Sequence, residues 1–242
     1  MKKIDSLLYL LLVIVGLYTA PLHAQNNFDK LYQSAIKNAM YPPTDTKDTN
    51  LIAITPDNKN LTWKTINGED YVLVVSWKQT NYYGDSGATN TGPYQIWVTT
   101  APELLNRMRK EKASNPDLRL KQLLGLPPTG TYNWFIEFWV RPADLFRPCP
   151  DKEVTDKKCN TCFSAQDSLD QSYIQWVNNT RVSRYYACGL YNQYPWTSLG
   201  YTYDWNANNK SHIGLCEFVI DVNKTIYVNK VYTTAEYLKQ SK

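Results

Sequence analysis

The 242-residue chain has only two histidines and three methionines. Beyond residue 24 no apolar run matches Leu7 to Tyr18, so nothing there has the length and apolarity of a membrane-spanning helix. A phosphate-cradling Gly-rich loop and a Gly-x-Ser-x-Gly elbow are both missing, which argues against P-loop and α/β-hydrolase chemistry. Neither sign of charge dominates, with 26 basic against 22 acidic residues. Arg107, Arg109, Lys110 and Lys112 lie near acids, as on a solvated helix face, and give no signal for nucleic-acid binding. Internal repeats and low-complexity tracts are also lacking.

At the start, Lys2 and Lys3 precede the short run Leu7 to Tyr18, which breaks at Ala20-Pro21 and leads to Leu22-His23-Ala24 before Gln25. This pattern predicts a cleavable secretory signal over residues 1–24, with a retained N-terminal anchor as the alternative. No cysteine lies near the cut, against a lipoprotein anchor. The expected product is a single domain, residues 25–242, secreted or periplasmic, without a membrane span after cleavage. Losing Lys2, Lys3 and Asp5 leaves it 24 basic and 21 acidic residues. No cofactor motif is present.

Aromatics are plentiful: 19 Tyr and 8 Trp. They suit a large β-core, and equally a surface for a glycan or an extracellular protein partner.

Phe28, Leu31, Tyr32, Ala35, Ile36 and Ala39 recur at helical spacing, so an amphipathic helix opens the mature chain and Pro42-Pro43 stops it. Residues 51–54, 61–66 and 71–77 read as strands, with Asn67-Gly68 as a tight turn. Asn81 to Gly92 reads as a surface loop before a strand at 94–99. Thr100-Ala-Pro-Glu103 has capping-box spacing, and Asn115-Pro116 opens a helix that Gly125 closes. Tyr132 to Val140 is the strongest strand. Residues 167–186 read as a helix with Leu169, Tyr173, Trp176 and Val177 on one side, and 213–220 and 225–228 close the sheet. The mixture predicts an α+β fold: a mainly antiparallel sheet with an N-terminal helix and several inserted helices, in a single domain.

Outside the cytoplasm, disulfides are the first expectation for Cys149, Cys159, Cys162 and Cys188. Cys216, inside an apolar run, is the expected free thiol. The four others allow three pairings, which the sequence does not distinguish. Cys159-Asn-Thr-Cys162 also has zinc-ligand spacing, but no second pair accompanies it, and no metal site is predicted.

Charge inside apolar strands marks the candidate chemistry. Glu137 shares a strand face with Phe135, Trp139 and Arg141, and Arg141 is its expected ion-pair partner. Glu217 sits in Ile213 to Ile220, where a carboxylate costs free energy unless something uses it. Together the two glutamates would form a glycosidase pair if their strands were neighbours. His212, the one histidine beyond the signal, is the available neutral-pH proton carrier. Two loops concentrate polar and aromatic groups. One supplies Asp144 and Arg147 as substrate-binding candidates, and the other Trp196, Tyr201, Tyr203 and Trp205.

Tyr194-Pro-Trp-Thr-Ser-Leu-Gly-Tyr-Thr-Tyr-Asp-Trp205, followed by Gly214-Leu-Cys-Glu-Phe-Val-Ile220, resembles the closing segment of uncharacterised bacterial secreted proteins and toxin-like C-terminal modules. The ending also resembles ADP-ribosyltransferase toxins, which implies a catalytic glutamate at Glu217, an arginine at Arg141 and a Ser/Thr strand at Thr197-Ser198. Leu215 stands where the first glutamate of that family's pair belongs. The expectation is a toxin-like or effector-like enzyme acting through Arg141, Glu217 and His212; the alternative is a non-catalytic glycan- or protein-binding module.

Overall fold

The computed structural model describes residues 25, 27–41, 50–166 and 169–240. The expected signal and the Pro42-Pro43 helix stop lie outside these residues. Helix α1 covers residues 27–40. Strands β1 (Trp63–Ile66) and β2 (Glu69–Lys78) form a hairpin. Asn67 and Gly68 both have positive φ, as a two-residue hairpin turn requires. β3 (Gly87–Asn90), β4 (Ile96–Thr100), α2 (Ala101–Glu111), α3 (Pro116–Leu123) and β5 (Trp134–Val140) follow. After β6 (Leu145–Phe146) come α4 (Gln171–Tyr185), β7 (Tyr201–Tyr203), β8 (Ile213–Cys216), β9 (Phe218–Ile220), β10 (Thr225–Thr233) and α5 (Thr234–Leu238).

The main sheet has eight strands in the order β3-β10-β5-β2-β4-β9-β6, with β1 also paired to β2. β7 and β8 form a separate two-stranded sheet. The strand pairs are antiparallel, and the single domain is α+β, as the sequence predicts.

Alternation along β5 divides the core. Ile136, Phe138 and Val140 join Val72, Val74 and Val98 in one cluster with Leu51, Ile54 and Leu145. Phe135 and Trp139 join Leu73, Val75 and Trp77 in another, beneath Leu104 and Met108 of α2, Leu120 and Leu123 of α3 and Tyr237 of α5. Complete burial of a side chain such as Phe135 or Phe138 is worth about 1.5–3 kcal/mol. A third cluster packs α1 and α4 around Trp196, Tyr203 and Trp205.

Asn115 caps α3 by accepting from Leu118 N. Its far end is a Schellman turn: Leu126 N donates to Lys121 O, Gly125 N donates to Gln122 O, and Gly125 has φ +65. The helix end lies tight on β8, where a Cβ on Gly214 would stand 2.2 Å from Thr202 Oγ1 and 2.6 Å from Leu123 O.

Several expectations are corrected. Residues 51–54 form no strand, because Leu51 N and Ile54 N donate to the irregular segment at Lys157 O and Val154 O. The expected 81–92 loop contains β3, which pairs with β10. Thr100 makes no side-chain cap; Glu103 instead accepts from Thr99 Oγ1 and from Cys216 N. Leu169 stands exposed ahead of α4 rather than on its packed side. Cys149 and Cys159 form a disulfide, which removes Cys159 from any zinc pair, while Cys162 and Cys188 are exposed and unpaired. Cys216 is a buried free thiol, as expected. The expected 213–220 strand is cut at Glu217, whose N–H donates to Gly200 O while the chain passes from one sheet to the other. Among the described residues, no helix is long and apolar enough to cross a membrane.

Candidate functional site: an aromatic pocket

A cavity of about 510 Å³ opens where the ends of β2 and β4 meet the α3–β5 connection, α4 and the 194–203 segment. Seven aromatic side chains line it: Trp77, Tyr82, Trp97, Tyr132, Tyr194, Trp196 and Tyr203. Several are held by neighbouring rings or hydrogen bonds. Trp77 stacks on Phe135 with ring centroids 5.5 Å apart and leans on Tyr132 at 4.9 Å. Trp97 meets Trp176 and Trp196, both at 6.2 Å. Tyr203 accepts from Asn38 Nδ2 and carries the His212 ring stacked at 4.8 Å. Tyr82, by contrast, is 85% exposed at the rim.

Three charge-bearing residues line the same cavity: Lys78, Arg184 and Glu217. Arg184 lies 5.3 Å from the ring centre of Trp97 and 4.9 Å from that of Tyr194, a cation–π arrangement. Burial pushes the Glu217 carboxyl up to about 8, against the pull of Arg184, so it is largely protonated at neutral pH. Burial lowers the Lys78 amine from its ordinary value. Glu217 Oε2 and Trp196 Nε1 are buried without hydrogen-bond partners. Groups of this kind are rare in folded proteins, because each costs about 1–3 kcal/mol.

The structure does not gather the sequence-derived candidates into one site. Glu217, Trp196 and Tyr203 line the pocket; Arg141, His212 and Glu137 do not. Arg141 binds Asp144 at 2.8 Å and Glu69 at 3.1 Å, not Glu137. Glu137 accepts instead from Asn229 Nδ2 at 2.7 Å. Asn229 is the bulged residue between Val228 and Lys230, and its amide oxygen also accepts from Trp139 Nε1. Burial raises the pKa of Glu137. His212 has its Nδ1 at 2.9 Å from Asp204 O.

The substrate-binding candidates divide in the same way. Arg147 is completely buried and donates to the carbonyls of Glu153, Ile52 and Asp156. Asp144 is buried against Arg141, and Lys224 Nζ lies 3.6 Å away. Trp205 is buried, with Nε1 donating to the carbonyls of Lys121 and Leu126, and Tyr201 packs in the core. These four residues are built into the scaffold. Thr197 and Ser198 are also buried and do not line the pocket. Among the described residues no cluster of three or more His, Cys, Asp or Glu is arranged to hold a metal ion.

Lys78 and Arg184 went unnoticed in the sequence, since each reads as an ordinary surface charge at a strand end and on a helix. Fold and site together define an α+β protein with a preformed, aromatic-walled pocket. Compared with protein-family models, with curated proteins and with solved structures, the chain matches none.

Proposed function

We propose that this is an exported carbohydrate-binding protein that holds a sugar ring in the aromatic pocket. One observation carries the reading: two unpartnered buried polar atoms, Glu217 Oε2 and Trp196 Nε1, belong to residues lining an aromatic-walled cavity. Sugars offer apolar C–H faces to aromatic rings and hydroxyls to polar groups. A protonated carboxyl both donates and accepts, and an indole N–H donates, so the pair complements a hydroxylated ring. The cavity volume is within the range of ligand sites, about 300–1,000 Å³. The Cys149–Cys159 disulfide supports an oxidising compartment and so supports export.

A toxin-like enzyme using Glu217 as general acid draws on the raised pKa of that carboxyl. It is the weaker reading, since among the described residues no second carboxylate lines the pocket and Arg141 and His212 lie outside the lining. Glycan-array retention separates the two. Tyr82→Ala, at an exposed rim position, is expected to weaken retention about tenfold with the fold unchanged, and Glu217→Gln to weaken it less because the amide still donates and accepts. Retention unaffected by Tyr82→Ala and Trp196→Ala, with a growth-inhibiting effect abolished by Glu217→Gln, would favour the enzyme.

A further inference from the structure

We infer that the sugar bound in this pocket is anionic, its carboxylate or sulfate group held by Lys78 and Arg184. The inference rests on the carbohydrate-binding reading and narrows it to a class of ligand. Among the described residues Lys78 and Arg184 are the two cations of the lining and Glu217 its one acid. Among the described residues neither cation forms a salt bridge. Arg184 spreads its charge over the faces of Trp97 and Tyr194, which leaves the edge of the guanidinium available for a planar anion. Lys78 stands at the last position of β2, directly after Trp77.

Lys78 and Arg184 are both half-buried, so each has lost part of its hydration without gaining an acidic partner, and an anion brought by the ligand compensates that loss. Glu217 fits the same scheme. In its protonated form it adds no negative charge to the pocket, and its O–H can donate to the anion or to a ring hydroxyl. A neutral sugar would use the rings and leave both cations uncompensated.

The charge state of Glu217 then governs affinity. Arg184 and Tyr185 of α4 act on it electrostatically, and Lys78 of β2, Tyr132, Tyr194 and Tyr203 line the same cavity. Burial raises Tyr132, Tyr185 and Tyr203 above the ordinary phenol value, whereas Glu217 titrates near 8. Glu217 ionises as pH rises through about 8, and its charge then repels the anion. Lys78, lowered by burial, loses charge in the same direction. Affinity for an anionic sugar therefore falls on raising the pH.

The test is calorimetric titration of the purified protein with uronate, sulfated and neutral oligosaccharides matched in length, trigalacturonate and galactotriose among them. At pH 6 an anionic member is expected to bind at least tenfold more tightly than its neutral counterpart. Lys78→Met should lower that affinity about tenfold without lowering the melting temperature, and Arg184→Met should lower the affinity likewise, with the circular-dichroism spectrum of both unchanged. Between pH 7 and 9 the wild-type affinity should drop, and Glu217→Gln should drop less. Neutral sugars binding as tightly as anionic ones, with Lys78→Met neutral for both, would overturn the charge inference and leave carbohydrate binding standing. If no sugar of the panel binds, the carbohydrate reading itself falls.

Discussion

Two groups of buried charge draw on the same stretch of chain, residues 194–217, and are treated in opposite ways. At Asp204, fully buried beyond β7, both carboxylate oxygens accept from Arg119 of α3, at 2.9 and 2.7 Å. Arg119 also binds Glu111 of α2, and Arg107 closes the group through Glu111. Although burial opposes ionisation, these hydrogen bonds hold Glu111 below the usual carboxylate range. At Glu217, thirteen residues on, the carboxyl has an unpartnered oxygen, and among the described residues Lys78 and Arg184 of its pocket form no salt bridge. The first group ties α2 and α3 to the small sheet. The second leaves polar groups unmatched inside a cavity, which stabilises nothing in the protein alone. The contrast separates charge that maintains the fold from charge that the fold leaves unmatched.

The sharpest way to break this comparison is to remove Arg119. Arg119→Met leaves Asp204 buried without its principal partner, and urea denaturation should report a loss of about 3–5 kcal/mol. Adding Asp204→Asn should return part of it. If Arg119→Met is neutral, the network is not structural.

At Glu217 the expected effect is spread over pH. Its carboxyl has the ordinary value of 4.5 in the unfolded chain and about 8 in the folded one. Between those values the folded chain keeps a proton that the unfolded chain has released, so this group's contribution to stability is complete below 4.5 and is lost as pH rises towards 8. The slope is at most about 1.4 kcal/mol per pH unit. Subtracting the stability curve of Glu217→Gln from that of the wild type isolates it, and a flat difference between pH 5 and 8 would contradict the assignment. Arg141→Met should do least. Arg141 is part-exposed and Glu69 lies at the surface, but Asp144 is buried and keeps only Lys224 at 3.6 Å, so denaturation should report a loss of about 1–2 kcal/mol, below that of Arg119→Met.

The regular parts of the fold were legible because periodicity reports burial. The two apolar faces of Trp134–Val140, the Asn67-Gly68 turn and the Asn115 and Gly125 ends of α3 all follow from local rules. β3 did not, since Gly87-Ala88-Thr89-Asn90 is polar and becomes a strand only by pairing with β10. α5 was missed for a similar reason: it is five residues long and is held by a capping box between Thr233 and Glu236. The site was half visible. A carboxylate in an apolar strand pointed to Glu217, and aromatic density pointed to Trp196 and Tyr203. The same density also implicated Trp205 and Tyr201, which are core, because composition does not say which way a ring turns. Lys78 and Arg184 gain their meaning only from the aromatic walls around them, contributed by segments scattered between Trp77 and Tyr203.

The break at Glu217 has a consequence for engineering. Cys216 is paired with Tyr201 in the small sheet and Phe218 with Val98 in the large one, while residue 217 belongs to neither ladder and holds its place through a backbone bond to Gly200. Its side chain is thus set into the cavity by both sheets without being part of either register. A saturation library at this one codon, proline excepted because the N–H is used, should retain the scaffold while changing what the pocket selects.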